Sequence, residues 1–286
     1  MKIKAKLEPG KVALVTGGSS GIGKAIACGL AERGMHVWLV AQRKDLLDSA
    51  RIEVETHRKN QNQVIGTVSA DVSDWDQVRM AVRQLSEKSG PPDLLVNSAG
   101  VTHPGYVEKL DLNIFNWMME VNYFGTVYMT KEVLPVMIKR GSGYILNISS
   151  MGGIIGAFGY TAYAASKFAV RGFTDALRQE IGLLGIGVSI LFPSDTDTPQ
   201  LEYENNFKPP ETKALGNLSG SMNANDVARV TLKGIERGQY LIIPNIEGNF
   251  WYLLNRLLGS AGSNLLLDQI IANARKKNNV SHVKEA

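Results

Sequence analysis

Cysteine is almost missing from this chain of 286 residues. Cys28 stands alone, so no disulfide can form within the chain and a reducing compartment is expected. Histidine is scarce as well: His36, His57, His103 and His282 are scattered without metal-ligand spacing, and no metal site is expected. No apolar run reaches the roughly 18 residues that a membrane-crossing helix requires. The opening MKIKAKLEPG is basic but lacks the apolar core of a secretory leader. The expected location is therefore cytoplasmic, with peripheral attachment to the cytoplasmic face of a membrane as the second option. A net charge of +4 is too small to imply nucleic acid as a partner. There is no internal repeat, low-complexity tract or convincing linker.

What is present is alternation. The apolar runs VALVTGG, HVWLVAQR, VIGTVSADV, DLLVNSAG, YILNISS, GVSILFP and QYLIIP are separated in most cases by longer amphipathic stretches such as GKAIACGLAERG and DWDQVRMAVRQLSEKSG. Strands that are apolar on both faces belong to a parallel sheet covered by helices. The expected fold is α/β: a Rossmann-type, doubly wound parallel sheet flanked by helices, with ligands at the strands' carboxyl ends. One domain over residues 1–286 is expected, with a core at about 8–245, a lid insertion near 194–221 and an apolar, helical C-terminal tail at 246–286. The lid is the longest stretch that reads as irregular.

After the first strand comes TGGSSGIG (16–23). Glycines at this place let backbone approach a pyrophosphate at a helix N-terminus, where free N–H groups and the helix dipole favour anions. Gly17, Ser19, Ser20, Gly21, Ile22 and Gly23 are the candidate residues. At the end of the second strand, Ala41 stands where a carboxylate would select NAD, and Arg43 and Lys44 follow. Those cations suit a 2′-phosphate, so NADP(H) is the expected cofactor. Asp45 blunts their charge. Asp71, with Val72, ends the third strand and faces the adenine in this reading, because Ser73, Asp74 and Asp76 already supply a helix N-terminus.

The stretch SSMGGIIGAFGYTAYAASKF (149–168) offers two tyrosines, Tyr160 and Tyr163, before Lys167. A phenol titrates near 10 and needs a neighbour to act at neutral pH; an ammonium within about 4–6 Å lowers its pKa. On a helix i and i+4 are neighbours, which favours Tyr163 over Tyr160. A lone YxxxK on an amphipathic helix is common by chance, however, and does not by itself make a site.

Taken together these segments resemble the short-chain dehydrogenase/reductase family over about the first 245 residues. The match rests on TGGSSGIG, NSAG (97–100), Asn122 in MMEVNYFGTVY, ISS (148–150) and YAASK (163–167). The resemblance implies a catalytic tetrad of Asn122, Ser150, Tyr163 and Lys167. The family's serine lies 13 residues before its tyrosine (163 − 150), which selects Ser150 over Ser149; strand alternation agrees that the two point to opposite faces. In the roles it implies, Ser150 donates to the carbonyl oxygen, Tyr163 delivers the proton, Lys167 holds the ribose and tunes Tyr163, and Asn122 anchors a relay water. It also implies cofactor contacts at Asn97, Ala99, Gly100, Pro193, Thr196 and Thr198. Ser194 replaces the glycine usual after the sixth strand, and Thr196 an aliphatic residue.

PSDTDTP (193–199), GAFGYTAYAASKFAVRGF (156–173) and YENNFKPPET (203–212) are similar to the branch of that family that reduces 3-ketosphinganine, a long-chain 2-amino-3-ketone of sphingolipid synthesis, with NADPH. A lipid-like ketone is thus the expected substrate. Tyr160, Asp195 and Asp197 are its candidate contacts, since carboxylates at Asp195, Asp197, Glu202 and Glu204 could pair its ammonium. A reductase of another lipid-like ketone (3-oxoacyl, steroid or retinoid) and a non-catalytic dinucleotide sensor are the alternatives. The tail patch around Phe250, Trp251 and Leu254 could lie in a bilayer interface, cover the pocket or pack in an oligomer. A homo-oligomer, dimer or tetramer, is expected.

Overall fold

The computed structural model describes residues 2–277. In chain order the strands are β1 (Val12–Thr16), β2 (His36–Ala41), β3 (Ile65–Ser69), β4 (Leu94–Asn97), β5 (Gly143–Ile148), β6 (Ile186–Leu191), the short pair β7 (Thr196–Asp197) and β8 (Met222–Asn223), and β9 (Leu241–Ile242). The helices are α1 (Gly21–Glu32), α2 (Lys44–Thr56), α3 (Trp75–Ser89), α4 (Leu112–Met118), α5 (Gly125–Arg140), α6 (Thr161–Gly182), α7 (Pro199–Asn205), α8 (Pro210–Ser219), α9 (Ala224–Glu236) and α10 (Ile246–Lys277).

Seven parallel strands form one sheet in the order β3-β2-β1-β4-β5-β6-β9. All seven apolar runs of the sequence take part in it. Their alternate side chains feed two cores. Ala13, Val15, Leu39 and Val96 pack with Ala27 and Leu30 of α1 and Leu232 of α9. Leu14, Val40, Leu95 and Ile145 pack with Leu85 of α3, Val133 of α5 and Leu177 of α6. Chain order reverses at β1, which lies between β2 and β4, and a crevice opens there at the carboxyl ends.

Two features, the lid and the turn that carries Asn122, differ from the sequence reading, and the helical tail is found as expected. The lid is not irregular: α7 and α8 occupy most of it, each opening on a proline. Proline breaks a helix interior but suits the first turn, so a proline-rich stretch looked like loop. Between α4 and α5 the chain makes a π-helical turn, Met119–Phe124, which carries Asn122. The tail forms α10, interrupted at Gly259 with φ 67°; it packs on α8. Residues 278–286 of that tail, His282 among them, lie outside the described residues. Among the described residues no helix is long and apolar enough to cross a membrane.

Candidate active site

The glycine turn is shaped by close approach. A Cβ on Gly17 would sit 2.8 Å from the Ala99 amide, and one on Gly23 would sit 2.4 Å from the Gly17 carbonyl. Both distances are too short for any side chain, so the turn folds tightly on itself and on the segment after β4. Thr16 fixes that segment: its hydroxyl accepts from the Ser98 and Ala99 amides, both at 3.0 Å. At the start of α1, Ser20 is extended and makes no side-chain cap, and no acid lies in the first turn. An uncapped N-terminus behind a glycine cradle fits the pyrophosphate of a dinucleotide.

Across the crevice, α6 carries Tyr163 and Lys167. The Lys167 ammonium is 5.7 Å from the centre of the Tyr163 ring and donates to the Ile148 carbonyl at 3.2 Å. Burial lowers its pKa to about 8. Tyr163 moves the other way: burial and then the Glu204 carboxylate push its phenol above the ordinary value, while hydrogen bonding with Ser150 opposes the rise. In this geometry burial and the Glu204 carboxylate dominate the phenol. Ser149 and Ser150 diverge as alternation requires. The Ser149 hydroxyl donates to the Lys167 carbonyl at 2.9 Å, whereas that of Ser150 turns toward Tyr163.

Asn122 is buried in the π-turn. Its carboxamide oxygen accepts from the Val101 amide at 2.7 Å; its nitrogen donates to the Val101 carbonyl at 3.0 Å and to the Ser166 hydroxyl at 2.9 Å. Both N–H groups are taken by protein, so the side chain clamps α6 to the β4 end instead of holding a relay water through its nitrogen.

The crevice has a volume of about 460 Å³. Of the residues singled out in the sequence, Gly17, Ser19, Ser20, Gly21, Ile22, Gly23, Arg43, Asp71, Val72, Ala99 and Gly100 line it, together with Ser150, Tyr160, Tyr163, Lys167, Pro193, Asp195, Thr196 and Thr198. Four do not. Lys44 is exposed at the first position of α2. Asn97 points into the protein, donating to Asn147 at 2.9 Å and Thr130 at 3.2 Å. Asn122 lies behind Gly100. Asp197 is exposed on β7. Asp71 lines the cleft but also accepts from the Ser73 amide and hydroxyl, at 2.8 and 2.6 Å, so it is less free than expected.

Part of the wall comes from the lid: Glu204, one of the four acids the sequence offered to the ammonium, and Gln200 and Lys208, which it did not single out. Gln200, Glu204 and Lys208 line the cleft at i, i+4 and i+8, a spacing that hints at one helical face. Glu204 is buried, and the Tyr160 hydroxyl donates to it at 2.6 Å. Burial raises the pKa of both groups. Ser194 donates to the Asn245 side chain at 3.0 Å and so ties the segment after β6 to the start of α10. From α10, Trp251 and Leu267 reach the cleft. The tail therefore covers the pocket, one of the three options its sequence left open.

Residues 11–208 match the short chain dehydrogenase family. The chain is 44% identical over 245 residues to a 3-dehydrosphinganine reductase of Danio rerio, covering 85% of this chain and 73% of that protein. It is 41% identical over 250 residues to a 3-ketodihydrosphingosine reductase of Bos taurus, covering 87% and 74%. Among solved structures, a short chain dehydrogenase/reductase from Burkholderia phymatum in complex with NAD superposes with a TM-score of 0.78 at 25% identity, covering 88% of this chain and 95% of that one. The chain belongs to the short chain dehydrogenase family and is an oxidoreductase that uses a nicotinamide dinucleotide to interconvert C=O and CH–OH groups.

Proposed function

We propose that the protein reduces 3-ketosphinganine to sphinganine with NADPH, and that Ser150, Tyr163 and Lys167 carry the chemistry. The observation that carries this reading is their convergence on one cleft with an acidic inner wall, in a chain whose relatives are named for that ketone. When bound, the reduced nicotinamide supplies the hydride. The Ser150 hydroxyl donates to the carbonyl oxygen as negative charge builds there. Tyr163 hands its proton to that oxygen. Its raised pKa keeps it a phenol at neutral pH, loaded for reduction. Lys167, cationic below about pH 8, stabilises the phenolate that remains and holds the ribose hydroxyls. Asn122 positions α6 under both. The direct test is NADPH consumption with 3-ketosphinganine, with sphinganine identified as the product.

NADPH in preference to NADH is part of the proposal. Arg43 lines the cleft, Lys44 stands beside it, and neither makes an ion pair with a described residue. Replacing both with Ala should weaken NADPH by about one to two decades, the worth of a charge-assisted contact, and NADH far less. Equal losses in a binding titration would remove the phosphate role.

Membrane attachment is also proposed, on the cytoplasmic face. On α10, Ile246, Phe250, Leu253 and Leu257 are 85%, 58%, 52% and 72% exposed, a stripe spaced for one helical face. Phe250→Ser with Leu253→Ser should lower activity on vesicle-borne substrate several-fold more than on detergent-dispersed substrate. An equal loss in both would contradict the attachment. A dimer or tetramer is proposed as well, because Leu112, Phe124 and Phe168 stay exposed around α4 to α6; light scattering would measure it.

A further inference from the structure

We infer that Glu204, flanked by Asp195 and Lys208 on the inner wall of the cleft, seats the ammonium of the substrate and so selects an α-amino ketone over a neutral one. This rests on the reading of the reaction just given. It selects one of the four acids the sequence offered, Asp195, Asp197, Glu202 and Glu204. Asp197 and Glu202 are exposed and off the cleft, while Glu204 is inside it.

The geometry is compact. The Glu204 carboxylate accepts the Tyr160 hydroxyl at 2.6 Å and lies 3.6 Å from the Lys208 ammonium; the Gln200 amide approaches its other oxygen at 3.4 Å. Lys208 lies 3.3 Å from Asp195. The side chains of Glu204 and Lys208 are 9% and 5% exposed. Two carboxylates thus share one buried ammonium, Glu204 in a desolvated place and Asp195 at its partly exposed edge with 34% of its side chain open, and one formal negative charge has no cation of its own. An uncompensated charge is costly where water is scarce, and a ligand cation offsets that cost where a neutral ligand cannot.

The site also adjoins the chemistry: Gln200 hydrogen-bonds with both Glu204 and Tyr163. The carbonyl oxygen must lie against Ser150 and Tyr163. The Tyr160 ring is 5.6 Å from that of Tyr163, and its hydroxyl touches Glu204, so this ring spans from the reacting group to the acid. An amine on the carbon beside the carbonyl falls along that span.

Turnover is coupled to the same acid. The Glu204 charge is the second cause of the raised phenol pKa at Tyr163, after burial. An ammonium paired with Glu204 screens that charge, so Tyr163 gives up its proton more readily when the matching substrate is bound. Selectivity should therefore show in kcat as well as in KM.

The test compares kcat/KM for 3-ketosphinganine with that for the deamino ketone of equal chain length, in the full-length protein with NADPH. The wild type should favour the amino ketone. In Glu204→Gln the preference should shrink about 10- to 100-fold, the range expected for loss of a charge-assisted contact, with NADPH affinity retained as the sign of an intact fold. Lys208→Gln removes the competing cation and should move the preference the opposite way. Should Glu204→Gln fail to bind NADPH, Asp195→Asn gives the reading, with a smaller shrinkage expected. A preference that survives these carboxylate substitutions would overturn the role of Glu204 and leave the reaction standing. A wild type that ignores 3-ketosphinganine would overturn the reading of the reaction itself.

Discussion

Tyr163→Phe should lower kcat by about two to four orders of magnitude while NADPH still binds within a few-fold of normal. The change removes one oxygen and one proton from a side chain that hydrogen-bonds with Ser150 and lies beside Lys167. No neighbour can take over. The nearest phenol, Tyr160, has its proton committed to Glu204, and burial holds its pKa well above the ordinary range. Tyr160→Phe should therefore cost about tenfold or less, felt mainly by the amino ketone through Glu204. Rapid-quench turnover for both variants, beside NADPH titrations, separates the two tyrosines. The reverse ranking would move the chemistry to Tyr160.

Lys167→Met should abolish measurable reduction and at the same time raise stability. Lys167 is buried, and no described carboxylate pairs with it; burial alone moves its pKa from 10.5 to about 8. A depressed lysine pKa means that the unfolded chain holds the proton more tightly than the folded one. The penalty is fully present below about pH 8 and fades as pH rises toward the unfolded value of 10.5. A shift of that size corresponds to roughly 3 kcal/mol, less the contact to the Ile148 carbonyl that Met cannot make. At neutral pH the variant should melt several degrees higher, and its advantage should narrow above pH 8. A variant less stable than wild type at neutral pH would mean that the ammonium has partners this geometry does not give it. Such a trade, stability against a charged working residue, is common in active sites.

The sheet was legible because its central strands are buried on both faces and so leave unbroken apolar runs. VALVT and HVWLVA are covered by helices above and below, and their spacing carried the fold without help. The glycine turn was legible for a similar reason, since backbone contact with Ala99 excludes every side chain at Gly17. The tyrosine pair was not decidable from spacing alone; the choice needed the whole set of motifs. What stayed hidden was structure whose cause lies far along the chain. The π-turn at Asn122 leaves no period of its own, and its role comes from Val101 and Ser166. Glu204 looked like one acid among four on a surface loop, until α7 turned it inward against Tyr160. The aromatic tail read equally as a membrane patch or a cover, and α10 does place Trp251 at the cleft while leaving Phe250 outside. Asp197 lies off the cleft for the same kind of reason: it is one residue from the lining Thr196 and Thr198, and local geometry turns it away. Lys44 is one residue from the lining Arg43 and stands just outside the cleft.

The central claim is that one cleft reduces an α-amino ketone through Ser150, Tyr163 and Lys167. The most direct measurement follows NADPH absorbance with purified protein and 3-ketosphinganine, with sphinganine identified by mass, for the wild type and Tyr163→Phe. The account predicts stoichiometric conversion by the wild type and a loss of about a hundredfold or more in the variant, with NADPH bound by both. A wild type that leaves 3-ketosphinganine untouched, or a Tyr163→Phe variant that turns it over at the same rate, would contradict it.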